Sequence, residues 1–216
     1  IPFIAINLCL IISQNPEYLN NTIFIVDQIG RSGFSIPYLD GSLSISRASR
    51  TYPQYLIFKP SMFLTAALLF FYWKNCNKLV NEFNNTNINH RFKTFGILSA
   101  IFLVIHSLLL GVEFDIKIFK FLRRVVLLAF IVFEIIAQAI LVYHFFKIKN
   151  KIENLIDKKI LILKFALVLI LSIIALSSLP ILIDKGNTHF KHALEWNYFI
   201  GVILFYLFSR FLWKKI

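Results

Sequence analysis

Apolar residues in this chain arrive in long blocks, not at the alternating or helical spacing of a half-buried element, and polar residues fill the gaps between blocks. Five blocks, over 56–73, 94–112, 121–146, 160–183 and 193–213, approach or exceed the ~20 residues that a helix needs to cross a hydrocarbon core. A sixth, 1–13, is shorter and reads as a truncated first span. The h-region of a signal sequence is the other reading of it, but neither a positive n-region nor a small-residue cleavage site is visible. Backbone amides in hydrocarbon must be satisfied within their own segment, and none of the blocks alternates like a barrel strand. The pattern therefore predicts an all-α, polytopic transmembrane bundle of about six spans, forming one domain over 1–216. Between the first and second spans, 14–55 is polar and carries Pro16, Gly30, Gly33, Pro37, Gly41 and Pro53, the punctuation of a long, partly ordered outer loop.

Composition agrees with this pattern. Hydrophobic residues make up 58% of the 216 and charged residues 16%, more apolar surface than a soluble domain can bury. The net charge of +12 raises nucleic acid as a partner, but Lys and Arg gather at the ends of apolar blocks and form no basic stripe with interleaved aromatics. Basicity of this kind reports topology. Lys74, Lys78, Arg91 and Lys93 follow the second span, Lys147, Lys149, Lys151, Lys158 and Lys159 follow the fourth, and Arg210, Lys214 and Lys215 close the chain. These three regions are expected on the cytoplasmic side. The connections with Glu113, Asp115, Lys117 and Lys120, and with Asp184, Lys185 and Lys191, face out together with the long loop. Trp73, Trp196 and Trp213 fall near span ends, as interfacial rings do. Sequons at Asn20 and Asn84 are weak signals, the latter on the cytoplasmic side. Cys9 and Cys76 form neither a disulfide framework nor a metal-ligand pattern.

Polar groups within spans are costly and therefore functional hypotheses. His106 lies about twelve residues from the cytoplasmic end of the third span, and Glu134 about twelve from that of the fourth, so both are expected at similar depth. Such a pair could form a charge-assisted hydrogen bond, a proton relay or half of a metal site, or simply join two helices. Gln138 shares a helix face with Glu134 at i, i+4. Lys164, about one and a half turns into the fifth span, is expected to snorkel to the cytoplasmic interface. A second constellation lies at the outer ends of the spans: Asp40, Arg47, Arg50, Lys59, Arg123, Arg124, Glu195 and Trp196. It suits a lipid headgroup or another anion, or a set of salt bridges fixing loop to bundle. His189, His192 and Glu195 are spaced i, i+3, i+6, but no HExxH pattern accompanies them, and they read as a loop entering the last span. With no nucleophile elbow, phosphate loop or kinase signature, the residues name no catalytic group, metal or cofactor.

The stretch Pro37, Ser44, Ile45, Ser46, then Pro53 and Gln54, then a span ending in Tyr72 and Trp73, resembles the Frag1/DRAM/Sfk1 family, which includes GPI-remodelling proteins and the Cwh-type N-terminal domain. Glu195 and Trp196 resemble the family's acidic-aromatic pair at the start of the last span. The resemblance implies six spans, a long first outer loop, a cytoplasmic tail, and a lipid-associated role without a shared catalytic mechanism. Asp40 and Gly41, inserted before the Ser-Ile-Ser stretch, depart from the GPI-type spacing. The expectation is a multi-pass, non-enzymatic protein whose partners are membrane lipids and not nucleic acid. An intramembrane enzyme or transporter using His106 and Glu134, and an accessory subunit of a larger membrane complex, are the competing readings.

Overall fold

A computed structural model describes residues 1–19, 22, 35–112, 117–183 and 186–214. Asn20, Gly30, Gly33, Glu113, Asp115, Asp184, Lys185 and Lys215 lie outside the described residues. Among the described residues there are eight α-helices, one 3₁₀ turn at Pro16–Leu19 and no strand. The helices are α1 (Pro2–Gln14), α2 (Pro37–Asp40), α3 (Ile45–Ser49), α4 (Gln54–Asn84), α5 (Arg91–Leu109), α6 (Lys117–Ile148), α7 (Lys158–Ile183) and α8 (Thr188–Phe211).

Four of them are long and apolar enough to cross a membrane: Gln54–Asn84, Arg91–Leu109, Phe121–Ile148 and Lys158–Ser178. Only 28%, 39%, 33% and 22% of their respective apolar stretches is buried against the rest of the chain. Most of that surface therefore turns outward, with Leu68, Phe71, Ile101, Leu128, Ile162, Leu169 and Leu176 exposed. Hydrocarbon accommodates such faces, and the chain is an integral membrane protein. The 24-residue α8 falls outside this group, with Glu195, Asn197, Ser209 and Arg210 diluting its apolar run, and α1 has 13 residues.

Helix ends follow local chemistry. α4 outruns the predicted span of 56–73 because its last turns leave the apolar block without losing helical structure: Asn77 accepts from the His90 amide at 2.9 Å, and Asn81 donates to the Ile88 carbonyl at 2.9 Å. The helix stops at left-handed Asn85 (φ 51), whose N–H returns to Asn81 and Glu82. This extension moves Trp73 away from a helix end. Trp73 has 0% exposure and packs against Phe92, so it is a core residue and not an interfacial anchor. Gly96 of α5 makes the approach possible, since a Cβ there would stand 2.2 Å from the Trp73 ring.

At one end of the bundle the connections between α4 and α5 and between α6 and α7 meet the chain's tail. Lys151 Nζ donates to the Phe83 carbonyl at 2.9 Å, the Asp157 amide to Leu212 at 2.8 Å, and the Lys214 amide to Leu155 at 2.9 Å. At the opposite end, α2 and α3 lie over α8 and α1. The histidines expected in a loop before the last span are helical, since α8 already begins at Thr188, after left-handed Asn187 (φ 57).

Candidate functional site

The loop-bearing end is built mostly from side chains that grip the loop backbone. Trp196, fully buried, donates Nε1–H to the Leu43 carbonyl at 2.7 Å and sets its ring against Tyr38, centroids 4.7 Å apart. One residue further along α8, Asn197 donates to the Tyr38 carbonyl at 2.7 Å, and His192 Nδ1 lies 3.0 Å from the Gly41 carbonyl. The Glu195 carboxylate accepts from the backbone amides of Ile45 and Ser46, the open N-terminus of α3, while Ser44 caps the Arg47 amide at 3.2 Å. Tyr38 also reaches α1, donating its hydroxyl to Asn7 at 2.8 Å. Gly41 (φ +59) is required where the loop turns onto α8: a Cβ there would stand 1.7 Å from the His189 carbonyl oxygen.

Asp40 serves its own turn. Its carboxylate accepts from the Ser42 amide at 2.8 Å and the Ile36 amide at 3.1 Å, and these bonds hold it below the usual carboxylate range. His189, His192 and Glu195 do not converge on a metal, and among the described residues no group of three such ligands does. The eight residues expected at the outer end thus divide in two. Asp40, Glu195 and Trp196 are committed to holding the loop. Of the basic groups, Arg47 and Arg124 are exposed, Arg50 and Lys59 half-buried, and among the described residues none of these four has a carboxylate within ion-pair distance. Lys59 Nζ lies 5.4 Å over the Tyr55 ring. Arg123 stands in electrostatic reach of His106.

The bundle interior holds a second polar cluster, and it differs from the expected His106–Glu134 pair. Glu134, with 0% exposure, accepts from Ser99 of α5 at 2.6 Å, from Gln138 one turn along α6 at 2.9 Å, and from the Tyr206 hydroxyl of α8. His106 lies seven residues beyond Ser99, about 10 Å along the axis, and among the described residues its Nδ1 has no hydrogen-bond partner. Counting from span ends misplaced the register because α6 meets α5 at Ser99, two turns short of His106. The i, i+4 relation between Glu134 and Gln138 is present as a hydrogen bond.

Lys164 does not snorkel. It has 0% exposure, donates to Ser209 of α8 at 2.7 Å and lies 3.9 Å over the Phe205 ring. Ser209 also meets the Tyr72 hydroxyl of α4 at 2.9 Å, and the Tyr72 ring touches the Tyr206 ring edge-on, centroids 5.0 Å apart. Tyr72, Ser99, Tyr206 and Ser209 escape a search for intramembrane charges, since hydroxyls are common in membrane helices. The spacing of Tyr206 and Ser209, three residues apart on one face, is the only sequence hint. Comparison of the chain with family models, with curated proteins and with solved structures finds no match.

Proposed function

We propose that this is a six-span membrane protein of the Frag1/DRAM/Sfk1 type that binds anionic lipid headgroups at its loop-bearing end, without catalysing a reaction there. The observation that carries the reading is the division of charge at that end. Asp40 and Glu195 are spent on backbone amides of the loop, and among the described residues no carboxylate stands within ion-pair distance of Arg47, Arg50, Lys59 or Arg124. Guanidinium groups in that situation suit phosphate oxygens, which they contact in bidentate fashion. In this reading α1 and α8 complete the bundle beside the four apolar helices, the loop faces outward or to a lumen, and the tail is cytoplasmic, as the Lys and Arg bias asks.

The test is binding of the intact chain, reconstituted in bilayers, to phosphatidylserine or phosphoinositide against a neutral-lipid background. At about 1 kcal/mol per basic residue near a charged surface, Arg47→Ala combined with Arg50→Ala should weaken binding by roughly thirtyfold. Unchanged binding in a variant whose loop still resists protease would defeat the proposal.

A further inference from the structure

Glu134 sits on α6 with 0% exposure, and among the described residues no basic side chain stands within ion-pair distance of it. A lone carboxylate in a hydrocarbon-embedded interior is expensive. Its two oxygens have different partners, and the difference shows how that cost is relieved.

Oε1 is held by two donors, Gln138 Nε2 at 2.9 Å and the Tyr206 hydroxyl. Among the described residues Oε2 meets Ser99 alone, whose Oγ stands 2.6 Å away. At that spacing the two oxygens are in hydrogen-bond contact, with room between them for a proton and none for a metal ion. A serine hydroxyl can donate or accept. Ser99 Oγ also lies 2.8 Å from the carbonyl of Gly96, nearly one turn back on α5, which gives its own proton a second acceptor.

With Glu134 ionised, the Ser99 hydroxyl donates to Oε2, and the carboxylate accepts three bonds. When a proton is added at Oε2, the new O–H donates to Ser99 Oγ, and the Ser99 hydroxyl turns to the Gly96 carbonyl. Gln138 and Tyr206 keep their bonds to Oε1. The protonated form therefore loses no contact among α5, α6 and α8, and gains one bond for a single hydroxyl rotation. Trp73 packs beside this serine, its ring lying against Gly96, where a Cβ would stand 2.2 Å away.

We propose that Glu134 is an intramembrane proton-binding site whose ligand is one proton taken from the aqueous phase. Binding forms an O–H bond at Oε2 and breaks none in the protein, so the chain gains one proton and the interior loses one negative charge. Ser99 is the positioning residue that receives the new O–H. Facing the carboxyl, α4 brings Tyr72 and α8 brings Tyr198 and Tyr206, phenols whose ordinary form is neutral. From α5 comes Ser99, with His106 two turns beyond. Lys164 of α7 bonds to Ser209 and, among the described residues, not to Glu134. On α6 itself ten residues separate Glu134 from Arg124 on one side and from His144 on the other.

The experiment is infrared difference spectroscopy of the full chain in bilayers, recorded between acid and alkaline pH over the range in which it stays folded. The expected result is a protonated-carboxyl C=O band that moves on ¹³C labelling of glutamate, disappears in a one-proton transition as pH rises, and is missing from Glu134→Gln. That variant keeps the shape of the neutral carboxyl; should it fail to fold, Glu134→Asp identifies the band by displacing it. Ser99→Ala should raise the frequency of the band, because the acid O–H loses its acceptor. Identical difference spectra for the wild type and Glu134→Gln, a Glu134 signal that keeps one form throughout, or a band that Ser99→Ala leaves unmoved would overturn the proposal.

Discussion

The loop-bearing end and the bundle interior both concentrate polar groups, but they use them in opposite ways. In the loop, where helices of four and five residues leave most amides and carbonyls unpaired, side chains of α8 are consumed by backbone: Trp196 by Leu43, Asn197 by Tyr38, Glu195 by Ile45 and Ser46. In the interior, the long helices already satisfy their own backbones, so Glu134, Gln138, Lys164, Tyr72 and Tyr206 can bond to other side chains. Irregular structure uses up polar side chains, and regular structure frees them for chemistry.

The largest effect that separates the two regions should come from Trp196→Ala. It removes a fully buried ring and leaves the Leu43 carbonyl without its donor, at a cost of roughly 3–5 kcal/mol. Protease should then cut within 35–53 while the helices stay intact, and simultaneous loss of helical circular dichroism would show that the loop and bundle are one cooperative unit. Tyr206→Phe should act on the interior alone. Losing one donor to a buried carboxylate costs about 2 kcal/mol, seen as a lower Tm in detergent with unchanged protease resistance of the loop.

A smaller effect is expected at the tail-side end, outside the spans. His90 stacks on Phe92, meets the His144 ring edge at 4.5 Å, and burial holds its imidazole below the ordinary range. A depressed histidine favours folding above its unfolded value and loses that contribution as pH falls through the folded one. Acidification from about pH 7 to 5 should therefore lower Tm in the wild type, and His90→Gln should flatten that slope. Smallest of all, Lys158→Ala removes an ion pair with Glu153 on a half-exposed surface, and no measurable change in Tm is expected. A clear drop would mean that the α6–α7 connection is held by charge and not by Ile152 and Ile156, which are both fully buried.

Much of this protein was readable from its sequence. Unbroken apolar blocks demand lipid and helix, and α5, α6 and α7 lie within a few residues of the predicted 94–112, 121–146 and 160–183. Glu134 stood out by its charge, and Gln138 as its neighbour by helical geometry. Punctuation marked 14–55 as a loop, and its described part from 35 to 53 carries only the short helices α2 and α3. What the apolar blocks leave open is helix register, because hydrocarbon-compatible residues look alike at every depth and side-by-side helices can slide by a turn without changing composition. Tertiary packing alone, with Gly96 admitting Trp73 and Ser99 meeting Glu134, placed the carboxylate two turns from His106. It also decided that Lys164 points inward: a four-carbon stem reaches the interface or the core equally well, and the hydroxyl of Ser209 and the face of Phe205, both brought by a helix some forty residues later, give its amino group partners in the core.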